Sequence, residues 1–229
     1  MSEPETPEKP RINPWSIWLI VGVMLGGVLV AYNYSLRQNA EAQDPRPPYL
    51  NKLEEDIEAV NRDGNRARLS SLKGKVYVAS YLFTTCPMGC SGIAEKLTVI
   101  HEEFGADPRF QLVSFSVDPE GDTPEMTDEF LNRLDVGIDD WWYLTGEKEA
   151  IQQYMLEFFQ LNPTKPVDNP AIKFVHDMRV VLIDGKANIR GYYQLLHPQP
   201  EFAEQNFERL KADIRYILDN ETAPLASNE

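Results

Sequence analysis

The sequence predicts an α/β domain built on a mixed sheet flanked by helices, preceded by one N-terminal membrane-spanning helix. Three observations support this. Continuous apolar runs rich in β-branched and aromatic residues alternate with stretches of helical period, the pattern of strands covered by helices on both faces. The pair Asp184-Gly185 between two apolar runs signals a hairpin, which adds an antiparallel edge to an otherwise parallel core. No charged residue stands between Arg11 and Arg37.

The first element, residues 15–34 (WSIWLIVGVMLGGVLVAYNY), is long and apolar enough to cross a hydrocarbon core of roughly 30 Å as a helix. Trp15 and Trp18 at one end and Tyr32 and Tyr34 at the other suit the two interfaces. A cleaved signal peptide with Ala40-Glu41-Ala42 as its small-x-small site is the competing reading, but the apolar run exceeds the usual core of about 7–15 residues. Lys9 and Arg11 precede the span and Arg37 and Arg46 follow it, so basic residues alone do not orient it. Residues 35–48, with three prolines and no apolar period toward their end, read as a linker.

Beyond the linker, Val76 to Phe83 reads as a strand buried on both faces. Ile93, Leu97, Ile100 and Phe104 recur at helical spacing, and Phe110 to Val117 is a second strand. It ends at Asp118-Pro119. Thr123 followed by Pro124 then makes an N-cap and first turn for a helix through Leu134. Trp141 to Leu144 is a short third strand, and Lys148 to Leu161 a third helix. Phe174 to Ile183 and Ala187 to Tyr193 are the strands of the hairpin, and Ala203, Phe207, Leu210, Ile214 and Ile217 form the apolar stripe of a closing helix. The domain so defined spans residues 49–220, with 221–229 as a C-terminal tail. Asp118-Pro119 and Asp122-Thr123-Pro124 have a sufficient account as a turn and a helix start and are assigned no chemistry.

The chain of 229 residues carries 36 acidic and 22 basic side chains, a net charge of −14, of which −13 lies beyond Arg46. A balance that acidic argues against nucleic acid as a partner, because affinity for phosphate backbones comes from Lys and Arg. With 42% apolar and 25% charged residues the chain can bury a substantial core. Two cysteines exclude a disulfide-stapled scaffold and a four-cysteine zinc site, and leave one pair to explain.

That pair is Cys86 and Cys90, in Thr85-Cys86-Pro87-Met88-Gly89-Cys90-Ser91, between the first buried strand and the helix after it. A strand-to-helix junction lies at the carboxyl edge of a parallel sheet, where ligands usually bind. A helix N-terminus favours the thiolate. If the segment is helical, the two Cβ atoms stand about 5–6 Å apart on one face, wider than the roughly 3.5–4.5 Å of a disulfide. A bridging metal ion reaches further, and two thiolates select a soft one, Cu(I) or Zn(II). A third donor would come from one of three histidines. His101 beside Glu102 and Glu103 reads as a solvated helix residue and His197 before Pro198 as a loop residue. His176, ahead of an apolar strand, reads from position alone as a structural residue more readily than as a ligand.

Several segments, taken in order, resemble the Sco/SenC family of copper chaperones, which are thioredoxin-like. They are Leu69-Ser70-Ser71-Leu72-Lys73-Gly74-Lys75, Phe83-Thr84-Thr85-Cys86-Pro87 with Cys90, Ser114 to Glu120 with Asp122-Thr123-Pro124-Glu125, Leu144-Thr145-Gly146, His176 ahead of Leu182-Ile183-Asp184-Gly185, and Arg190-Gly191-Tyr192-Tyr193. They span roughly residues 53–218. The resemblance implies that Cys86, Cys90 and His176 bind one copper ion, Cu(I) with Cu(II) as a second state. It implies an N-terminal anchor with residues 1–14 as a cytoplasmic tail and the domain outside the cytoplasm, on the periplasmic side in a bacterium. It also implies delivery of copper to, or thiol maintenance at, the binuclear copper site of cytochrome c oxidase, with that enzyme's copper-site subunit and a copper donor chaperone as partners. The chain differs from the family's usual residues at Met88, Ser91 and Val175. Met88 adds a thioether, a soft donor, read as loop filler.

Two other readings compete with the chaperone. In one, Cys86 attacks and Cys90 resolves in a thiol-disulfide oxidoreductase of thioredoxin type without stable metal. In the other, the pair forms an inert structural disulfide.

Overall fold

A computed structural model of the chain describes residues 14–41, 46–86, 90–134, 137, 140–162, 165–166 and 174–222. They fall into two compact units, Met1–Asp44 and Pro45–Glu229. The first contains one helix, α1 (Pro14–Glu41). Its window Ile17–Tyr34 has a mean hydropathy of 1.8 and none of it is buried, so it is long and apolar enough to cross a membrane and is not a core helix. The helix runs seven residues past Tyr34, into the stretch read as linker.

The second unit is organised on one eight-stranded sheet. In chain order its elements are β1 (Asn51–Lys52), β2 (Glu58–Asn61), β3 (Arg66–Arg68), a 3-10 turn (Leu69–Leu72), β4 (Val76–Leu82), α2 (Cys90–Phe104), β5 (Phe110–Ser116), α3 (Pro124–Asn132), β6 (Trp141–Thr145) and α4 (Lys148–Glu157). There follow β7 (Lys165–Pro166), β8 (Phe174–Val175), β9 (Arg179–Ile183), β10 (Asn188–Gln194) and α5 (Pro200–Asn220). Across the sheet the order is β1-β10-β9-β4-β5-β6-β2-β3, and β7 pairs with β8 in a separate ladder. β4, β5 and β6 run parallel, with Val76 opposite Phe110 and Leu112 opposite Trp141, while β9 lies antiparallel against β4. The mixed sheet flanked by helices is therefore as the sequence predicts, and every residue of β4 and β5 is buried. Full burial of an aliphatic side chain contributes about 1.5–3 kcal/mol, so these two strands are the main apolar reserve.

The differences from expectation are local and have local causes. β1, β2 and β3 extend both edges of the sheet but are too short and polar to leave an alternating pattern. α4 stops at Glu157 rather than Leu161, because Gln160 takes a left-handed φ of 52° and the Leu161 N–H closes back on the Met155 carbonyl at 2.9 Å. In the β9–β10 hairpin the left-handed residue is Ala187 (φ 64°), not Gly185. Gly185 is needed for another reason: a Cβ there would stand 2.9 Å from the Gly74 backbone. The single strand expected over 174–183 is broken at 176–178, and this break carries His176.

Candidate metal centre

β4 ends at Leu82, and its backbone turns so that the Cys86 N–H donates to the Phe83 carbonyl at 3.3 Å. Cys90 is the first residue of α2, and only 1% of it is exposed; Cys86 lies in the preceding turn and is partly exposed. The helical i, i+4 relation considered for the pair therefore does not hold, since only one of the two is helical. Both are free thiols. Pro87, Met88 and Gly89 lie outside the described residues, so Met88 has no assigned place.

His176 arrives from 86 residues away. Between β8 and β9 the chain leaves the ladder because the Asp177 side chain turns back, accepting from the Arg179 N–H at 3.1 Å and from its guanidinium at 2.9 and 2.7 Å. The Asn162 N–H also reaches Asp177, at 3.4 Å, which ties the base of the loop to residues beyond α4. Released from the strand, the His176 ring lies edge-on to Tyr81 and Phe83, each with centroids 5.7 Å away. Its Nδ1 is 2.8 Å from the Asp177 carbonyl oxygen. A carbonyl only accepts, so Nδ1 carries the hydrogen and Nε2 keeps its lone pair. Nε2 stands 3.6 Å from Cys90 Sγ.

The two sulfurs and one ring nitrogen all lie within 4.8 Å of one another. Two potential thiolates and a neutral imidazole, with no carboxylate among them, fit a soft ion rather than a hard one. The structure thus brings together the three residues singled out in the sequence. His101 and His197 lie elsewhere: His101 faces Asp140 at 3.6 Å and is partly buried rather than solvated, and the His197 ring lies tilted against Phe202 with centroids 4.6 Å apart.

The thiols depart from one expectation. A helix N-terminus was expected to favour the thiolate, but the Cys90 thiol is pushed well above the ordinary cysteine range. Its hydrogen bond with Cys86 is the largest cause and burial the next, with Asp122 adding a negative field; a backbone hydrogen bond at Phe83 offsets part of this.

Sequence reasoning missed the ring of support around the site. Asp122, 1% exposed, accepts from the Thr84 N–H (3.0 Å) and O–H (2.6 Å), from Ser116 (2.6 Å) and from Tyr143 (3.4 Å). Asp122 belongs to a segment that carries the family resemblance, but nothing in the local sequence gives it a role beyond that of an acid before a helix. Beside the thiols a groove of about 280 Å³ runs between α2 and α3, lined by Phe83, Cys86, Cys90, Ala94, Phe130 and Leu134.

Comparison with known proteins gives a consistent result. The SCO1/SenC family model matches residues 46–211. The SCO1 protein homolog of Bacillus subtilis is 31% identical over 139 residues, covering 60% of this chain and 72% of that protein. Among solved structures, BsSco, described as a member of the Sco family of cytochrome c oxidase assembly proteins and as having a disulfide switch, is 26% identical with a TM-score of 0.60, covering 74% of this chain and 98% of that one. Bradyrhizobium japonicum ScoI, solved with copper bound, shares the fold at 20% identity and a TM-score of 0.54, covering 68% and 98%.

Proposed function

This chain belongs to the SCO1/SenC family, and we propose that it is a membrane-anchored protein that binds one copper ion through Cys86, Cys90 and His176 and passes it to the copper-site subunit of cytochrome c oxidase. α1 serves as the anchor and the domain stands outside the cytoplasm, where it receives copper from a donor chaperone. The observation that carries this reading is the convergence of Cys86 Sγ, Cys90 Sγ and His176 Nε2, with the Asp177 carbonyl holding the imidazole in the tautomer that can ligate.

Copper is the cargo, and the site suits transient holding. Cys90 and His176 are buried, while Cys86 is partly exposed; both sulfurs border the groove. An incoming sulfur or nitrogen donor would replace Cys86 first, so that the ion never loses three ligands together. Binding must also expel the thiol protons, and the raised Cys90 thiol makes affinity pH-dependent. The charge of −13 on residues beyond Arg46 would speed encounter with a basic face on a partner.

A second reading, thiol-disulfide exchange with Cys86 attacking and Cys90 resolving, is favoured by the sulfur-to-sulfur hydrogen bond and by the greater exposure of Cys86. The discriminating experiment is copper titration of the full chain in detergent under reductant. One Cu(I) per chain, lost in C86A, C90A and H176A, supports the chaperone. Unchanged binding in H176A sinks the three-donor site, and turnover on a disulfide substrate without copper retention favours the oxidoreductase.

A further inference from the structure

We propose that Asp122 is a positioning residue of the metal centre: its carboxylate fixes the turn from Thr84 to Cys86 against the sheet and biases the site toward the more highly charged copper ion. The inference rests on the copper-binding reading and extends it to a residue given no chemical role by its sequence.

Three facts carry it. First, the four donors that meet Asp122 come from the ends of three adjacent parallel strands: Thr84 just past β4, Ser116 closing β5 and Tyr143 within β6. One acid thereby ties the segment leading to Cys86 to the rigid centre of the fold. Second, α3 does not need it. Thr123 already caps that helix, its side chain accepting from the Met126 N–H at 3.3 Å. Third, all four hydrogen bonds run from neutral backbone or hydroxyl donors to the Asp122 carboxyl oxygens. A buried charge is costly unless paired or used, and Asp122 is met only by neutral donors.

Its effect on the ion follows from charge balance. Two thiolates and a neutral imidazole leave Cu(I) with a surplus negative charge and Cu(II) with none. A further negative charge on the residue that holds Thr84, two residues ahead of Cys86, therefore penalises the Cu(I) form more than the Cu(II) form. Thr84 transmits the positioning part, since its backbone and hydroxyl are both held two residues ahead of Cys86.

The test uses the full chain in detergent as wild type, D122N and D122A, with Cu(I) and Cu(II) affinities measured by competition and Thr84 amide hydrogen exchange measured without metal. D122N keeps the shape and removes the charge; it is expected to lower the ratio of Cu(II) to Cu(I) affinity by about tenfold. D122A removes the acceptors and is expected to speed Thr84 exchange by about tenfold or more, with D122N staying near wild type. An unchanged ion ratio in D122N overturns the charge bias, and unchanged Thr84 exchange in D122A overturns the positioning. A wild-type chain that binds neither ion contradicts the copper reading instead, and the metal-free exchange still decides the positioning.

Discussion

Two buried polar clusters in the second unit look alike in kind and differ in what they leave over. Around Arg190, whose side chain is fully buried, every guanidinium nitrogen has an acceptor. Nε reaches the Pro47 and Pro48 carbonyls at 3.3 and 3.2 Å, and Nη1 reaches Asp184 at 3.1 Å and Glu221. Nη2 reaches Pro47 at 2.6 Å and Glu221 at 3.0 Å. The Tyr49 ring closes the outer side, 4.0 Å from the guanidinium carbon. Around Cys86, Cys90 and His176 two sulfurs and a ring nitrogen instead lie within 4.8 Å of one another, with Cys90 Sγ 3.6 Å from His176 Nε2. A cluster of matched charges spends its polarity on the fold, whereas one that gathers soft donors at close range offers it to a ligand.

The largest expected effect breaks the saturated side. R190M leaves Asp184 and Glu221 without their shared cation and should cost about 3–5 kcal/mol in urea unfolding, while the folded fraction still binds copper at the wild-type stoichiometry. Loss of copper binding at wild-type stability would show that the two clusters are not separable. On the other side, C90A should weaken Cu(I) binding by at least about a hundredfold, the upper range for disturbing even an outer partner of a metal site. Its stability should fall by no more than about 1.5 kcal/mol. A C90A chain that unfolds outright would make Cys90 structural first.

Protonation separates the clusters further. The Arg190 hydrogen bonds hold the Glu221 carboxyl below the ordinary carboxylate range. Its stabilising contribution is therefore complete above the unfolded value of about 4.3 and is lost as pH falls through the lower folded value. Melting temperature should drop below about pH 4 and drop less in E221Q. At the metal centre the sign is the same but the window is not: with the Cys90 thiol raised, protons compete with copper throughout the neutral range, so apparent affinity should rise with pH where stability is flat. A pH-independent affinity between about pH 6 and 8 would contradict that. The smallest effect is ionic strength, which should slow copper transfer to a basic partner several-fold between about 10 and 150 mM salt. A salt-independent rate removes the steering argument.

What could be read from the sequence follows from where signal accumulates. β4 and β5 are fully buried strands seven residues long and rich in β-branched and aromatic residues, and the stripe of Ile93, Leu97, Ile100 and Phe104 is long enough to fix α2 to within a turn. Cys86 and Cys90 stood out because they are the whole cysteine content. His176 did not stand out by position; only the ordered resemblance to a family raised it, and the structure then placed it against Cys90. Asp122 was illegible, because its donors lie 38, 6 and 21 residues away and no local pattern announces them. Short edge strands were missed for the same reason, being decided by pairing with distant strands, and the break at residues 176–178 because the Asp177–Arg179 turn that makes it leaves no mark on periodicity.

Arg190 holds the carbonyls of Pro47 and Pro48 with one edge and the carboxylate of Glu221 with the other. The stretches around Pro47 and Glu221 are thus neighbours, meeting on one side chain. A domain whose ends meet can be cut and rejoined. A short peptide bridging the two ends, with new ends opened in an exposed loop far from Cys86, should give a circular permutant with its copper ligands in register.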